Sequence, residues 1–100
     1  MIFYNSLVAT DELFNGKKLD LSLYPNPKQE VLSLQIREIF GEKLKVSVVD
    51  VFVKTLRSTS LDQVSGAVNL DMNVADLSSG VYFLVIFNGQ NTVSRKFFKG

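Results

Sequence analysis

Four carboxylates, Asp50, Asp62, Asp71 and Asp76, and the turn Ser78-Ser79-Gly80 are the residues whose types could do chemistry. A pair of carboxylates at the right separation hydrolyses a glycoside, and a dense loop of them binds calcium through oxygen ligands. No Asp-rich loop of that density occurs, so these side chains are expected to cap turns or face water. A serine on a sharp turn becomes a nucleophile only with a base beside it, and the 100 residues include no His and no Cys. The same absence removes the usual general base near neutral pH, the commonest zinc ligands and any disulfide framework. The expectation is therefore a chain that is not an enzyme and holds no metal or cofactor.

Charge and hydropathy narrow the classes further. Eleven basic and ten acidic side chains give a formal charge of +1, and the two signs are interspersed. The densest basic clusters, Lys17-Lys18 and Arg95-Lys96, are too small to track a phosphate backbone, so nucleic acid is not an expected partner. No apolar run reaches the roughly 18–20 residues that span a bilayer. The first residues lack a basic start and a long apolar stretch, so export would have to begin with a segment upstream of this one. Apolar residues make up 46% of the chain and eleven are aromatic, which places it among folded domains.

The elements that must position any site read as strands. Residues 81–87, Val-Tyr-Phe-Leu-Val-Ile-Phe, carry Tyr82, Leu84 and Ile86 on one face and Val81, Phe83, Val85 and Phe87 on the other. Asn88-Gly89 tolerates positive φ and predicts a tight two-residue turn that folds this strand onto residues 92–98. Gly80 supplies the turn before it. Leu19, Leu21 and Leu23 alternate with polar residues until Tyr24-Pro25-Asn26-Pro27, where two prolines are expected to take the chain out of an edge strand. Residues 31–36 and 44–48 alternate across a turn predicted at Gly41-Glu42-Lys43, and residues 51–56 are expected to continue through a turn or bulge into another short strand. Residues 57–66 are polar and predict a loop, and residues 67–74 alternate again.

Together these predict an all-β fold, an antiparallel immunoglobulin-like β-sandwich of about seven strands, in residues 21–100. Residues 1–20 read as a tether or the tail of a preceding module, with a possible edge strand. The apolar row Val81, Phe83, Val85 and Phe87 is unusual, because the outer face of a sandwich sheet is normally polar. Either another part of the chain, such as residues 1–20, covers it, or it docks another protein.

Leu23-Tyr24-Pro25-Asn26-Pro27, the strand Val-Leu-Ser-Leu-Gln-Ile, Val46-Ser-Val-Val-Asp50, Leu77-Ser-Ser-Gly-Val-Tyr-Phe-Leu84 and the final Arg95-Lys96-Phe97 together resemble one family. In this order and spacing the chain is similar to the type A C-terminal sorting domains of the type IX secretion system of Bacteroidetes. Two departures stand out. The family's Asp-x-x-Gly-Arg turn is here Asp50-Val51-Phe52-Val53-Lys54, without the glycine, and its Asp-Leu-Ser-x-Leu segment is here Asn73-Val74-Ala75-Asp76-Leu77.

The resemblance implies an address carried by a larger cargo protein. The cargo would cross the periplasm, be carried over the outer membrane by the type IX machinery, and end at the cell surface or outside the cell. A sortase-like peptidase would remove the domain and join the cargo to a surface lipopolysaccharide. The elements expected to be recognised are Tyr24, Pro25, Asn26 and Pro27 with Gly80, Tyr82, Lys96 and Phe97. The competing reading is an immunoglobulin- or fibronectin-like accessory module of a secreted enzyme that binds carbohydrate or protein. The absence of Trp weighs against carbohydrate.

Overall fold

The fold is taken from a computed structural model, which describes residues 13–14, 17–26 and 30–100. Among them are seven strands: β1 (Leu13–Phe14), β2 (Lys17–Lys18), β3 (Asp20–Asn26), β4 (Val31–Val49), β5 (Thr55–Asn73), β6 (Gly80–Phe87) and β7 (Thr92–Lys99). Every pairing is antiparallel. β1 and β2 form a small hairpin of their own.

The architecture rests on β4 and β5, which run beside each other for almost their whole length. The first part of β4 lies between β3 and the last part of β5. The last part of β4 lies between the first part of β5 and β6, and β6 pairs in turn with β7. One bent ribbon thus supplies strands to a three-stranded and a four-stranded sheet, which pack as a β-sandwich. The predicted all-β sandwich is the fold observed.

The bend explains two corrections. Residues 41–43 are not a turn and residues 57–66 are not a loop: Ile39 pairs with Gly66, Glu42 with Val64 and Val46 with Thr59. The register slips between Arg37 and Ile39, between Phe40 and Glu42 and between Glu42 and Leu44. Such bulges add residues on one strand, bend it and increase its twist. Gly66, at φ 86°, sits where the slips begin, a conformation that costs glycine little. The polar residues that suggested a loop instead face water from the outer side of a paired strand.

The core is built by alternation. Leu32, Leu34 and Ile36 from one half of β4 and Leu44, Val46 and Val48 from the other half are buried, with Val68 and Met72 of β5. Tyr82, Leu84 and Ile86 of β6 and Val93 and Phe97 of β7 join the same cluster. Burying one such side chain is worth roughly 1.5–3 kcal/mol, so this single layer is the main source of stability.

Two further expectations about strand ends change. β3 does not stop at Tyr24: Pro25 pairs with Leu32 and Asn26 with Val31. Proline is tolerated there because β3 is an edge strand and needs no outward amide. The β6–β7 connection is a four-residue loop, since Phe87 pairs with Thr92. Asn88 Oδ1 accepts from the amides of Gln90 at 2.9 Å and Asn91 at 2.7 Å, and Asn88 N donates to Asn91 O at 3.1 Å. The asparagine side chain organises the longer loop, with Gly89 at φ 99°. Residues 51–56 are a turn followed by the start of β5, as expected of a turn leading into a strand.

Candidate functional site: the loop end of the sandwich

The segment 74–79, between β5 and β6, ties together parts of the chain that are far apart in sequence. Val74 N donates to Glu30 O at 3.0 Å, next to the Asn26–Val31 pair that ends β3. Leu77 N donates to Val74 O at 3.1 Å, and Ala75 N to Asn73 Oδ1 at 2.8 Å, which closes the segment into turns. Asp76 forms an ion pair with Arg57 of β5. The Arg57 guanidinium holds the Asp76 carboxyl below its usual range, chiefly through that hydrogen bond. Lys99 Nζ, at the end of β7, donates to Leu77 O at 3.0 Å. Tyr82 Oη donates to Ser78 O at 2.6 Å.

The residues expected to be recognised divide between inside and outside. Tyr82 and Phe97 face the core and stack, with ring centroids 5.9 Å apart and 29° between planes. Gly80 opens β6 at φ +155°, and a Cβ there would meet nothing within 4 Å. Its requirement is therefore backbone conformation and not space. Lys96 and Tyr24 are exposed, so their side chains are open to a partner. Pro25 and Asn26 belong to β3 by their backbone, and Pro27 lies outside the described residues. A backbone bond from Val74 N to Glu30 O ties the segment that precedes the Ser-Ser-Gly-Val-Tyr turn to the residue before β4, the strand with which the Tyr-Pro-Asn end of β3 pairs.

The β4–β5 turn stands at the same end. Asp50 Oδ1 accepts from Phe52 N at 2.9 Å and Lys54 N at 3.0 Å, Asp50 N donates to Lys54 O at 3.1 Å, and Val53 N donates to Asp50 O at 3.0 Å. Val53 takes φ 65°, a left-handed conformation that a β-branched residue rarely adopts. It occupies the position where a glycine was missing from the turn motif. Phe52 is 85% exposed, and with Asp50 and Val51 it forms one wall of a cleft whose other wall is Ser79 to Tyr82.

The apolar row on the outer face of β6 is not uniformly open. Phe83 is fully buried, Val81 and Val85 are half-buried and Phe87 is exposed. Sequence reasoning missed Arg57, Asp76 and Lys99 as the ties of the 74–79 segment. No local pattern marks them, because their partners are 19 and 22 residues away. The role of Asp50 was closer to view, since Asp at the first position of a turn bonds to following amides.

Among the described residues no group of three or more His, Cys, Asp or Glu is placed to hold a metal ion, and no helix is long and apolar enough to cross a membrane. No curated protein matches the chain. A family model described as a secretion system C-terminal sorting domain matches residues 22–99, the span of β3 to β7 and the loop end just described. The chain belongs to the family of type IX secretion C-terminal sorting domains, and it is the sorting signal of a larger exported cargo protein.

Proposed function

We propose that the folded sandwich is the form read by the secretion machinery, and that its loop end and the exposed face of β7 carry the reading. The cargo reaches the periplasm first, and the domain then commits it to passage over the outer membrane. A sortase-like peptidase cuts upstream of β3, within residues 1–20, and joins the released cargo to a surface lipopolysaccharide. The domain is a substrate in that step and contributes no catalytic group.

The observation that supports this reading is the backbone tie between the chain before the Ser79-Gly80 turn and the residue before β4, the strand that pairs with Tyr24-Pro25-Asn26. The Tyr24-Pro25-Asn26 strand end and the Ser79-Gly80 turn are over fifty residues apart in the sequence, yet the bond between Glu30 and Val74 ties the chain that follows the first to the chain that precedes the second. Only the folded chain presents them together. Lys96 and Tyr24 offer the exposed side chains for contact, while Tyr82 and Phe97 hold the hairpin that presents Lys96.

The test fuses residues 1–100 to a periplasm-directed fluorescent reporter in a type IX-competent bacterium. Surface or medium fluorescence that depends on β6 and β7 supports the reading. A folded fusion that stays periplasmic with and without them overturns it and leaves the accessory binding module as the better description.

A further inference from the structure

The β4–β5 turn carries three consecutive apolar side chains into water. Val51 is 42%, Phe52 85% and Val53 40% exposed, although taking any of them out of water is favourable. The turn is held in that shape: Asp50 Oδ1 accepts from the amides of Phe52 and Lys54, and the Asp50 backbone bonds to Val53 and Lys54. Val53 stands at φ 65°, where a glycine would ease the backbone and remove one apolar side chain. The apolar surface continues onto the sheet. Val51 and Val81 line one cleft, Val81 pairs with Phe98, and Phe98 is 63% exposed. Cations border it. Lys54 ends the turn, Lys96 lies two residues before Phe98 on the same face of β7, and both are exposed. The acid of the turn, Asp50, is engaged by backbone amides.

We propose that this tip docks on an anionic phospholipid bilayer, with Phe52 below the headgroups and Lys54 and Lys96 among their phosphates. A contiguous apolar patch marks a protein or a membrane contact, and here area and shape favour the membrane. Val51, Phe52, Val53 and Phe98 together offer less than the roughly 800 Å² per partner of a standard protein interface. Phe52 also projects from its turn with most of its surface free. A bilayer needs no complementary pocket: apolar side chains enter the acyl boundary, and each lysine near the surface adds attraction to anionic headgroups. Docked this way, the domain rests on its β4–β5 turn against a membrane. Bilayer docking goes beyond the reading of the domain by the secretion machinery and does not rest on it.

The test sediments the full chain with vesicles of phosphatidylcholine alone, and of phosphatidylcholine and phosphatidylglycerol in equal parts. The chain is expected to partition onto the anionic vesicles and to leave them as salt rises. Phe52→Asp should weaken that binding about tenfold or more, and Lys54→Ala about fivefold. Circular dichroism should not change, because both side chains are exposed. The chain has no cysteine, so Phe52→Cys and, in the loop at the far end of β6, Gln90→Cys can each carry a polarity-sensitive dye. The dye at residue 52 should shift to the blue on anionic vesicles and the dye at residue 90 should not, a measurement that needs no charge in the turn. A chain that stays in the supernatant, binding without preference for the anionic vesicles, undiminished binding by a folded Phe52→Asp variant, or no shift of the dye at residue 52 overturns the proposal and leaves the tip to a protein partner.

Discussion

Arg57 Nε, near the start of β5, donates to the carbonyl oxygen of Asn73, the last residue of the same strand, at 3.3 Å. In a straight strand those residues would be about 50 Å apart. The bond therefore closes the bend of the ribbon, and the ion pair of Arg57 with Asp76 extends the closure into the 74–79 segment.

Loss of Asp76 charge should loosen that closure. The folded carboxyl is held below its ordinary value, so its stabilising contribution is complete above the ordinary carboxylate range and is lost as pH falls through the lowered value. Urea midpoints measured from pH 7 down to pH 3 should fall for the native chain. In Asp76→Asn the midpoint should be lower at pH 7 and the difference between the two proteins should shrink with acid.

Val53→Gly should stabilise the domain. A non-glycine residue in the left-handed region costs roughly 1–2 kcal/mol, and Val53 is half in water, so little burial is lost. After the entropic cost of glycine, a gain of about 1 kcal/mol is expected, read as a higher denaturation midpoint. Asp50→Ala should act in the opposite direction by about 1–2 kcal/mol, since it strips two amides of their acceptor.

Tyr82 separates packing from hydrogen bonding. Tyr82→Phe removes the bond to Ser78 O and should cost about 1 kcal/mol. Tyr82→Ala also empties the site against Phe97 and should cost about 3–5 kcal/mol. Thermal unfolding of the two variants checks the ratio.

Lys96→Ala is the substitution that distinguishes recognition from folding. The side chain is exposed on β7, so stability should move by no more than about 0.5 kcal/mol. Reporter export should drop while circular dichroism stays the same. Export at the native level would remove Lys96 from the recognised set.

The sequence made the sandwich legible because its buried positions alternate: Leu32, Leu34 and Ile36, or Tyr82, Leu84 and Ile86, are one face of a strand by period alone. The β6–β7 hairpin was visible for the same reason, and only its loop length was misjudged, because a side chain of Asn88 replaced the backbone turn. The long ribbon was hidden. Residues 57–66 are polar since they line an edge strand with one wet face, and composition does not separate such a strand from a loop. The bulges around residue 40 look like a turn because Gly41 with the charged Glu42 and Lys43 is a turn signal in a sequence, and a bulge interrupts the alternation at the same place. At the loop end, Gly80 and Tyr82 were marked by motif. Arg57, Asp76 and Lys99 were not, as their partners are set by the tertiary fold.

Because β4 and β5 each belong to both sheets, neither sheet can be detached while the other persists. Such a body is expected to melt in one step. Its Cα extents are 34 × 32 × 18 Å, so a conduit that admits it intact end-on needs an aperture of at least 32 × 18 Å. A narrower channel must undo the β4–β5 ribbon, and with it both sheets, before the domain passes.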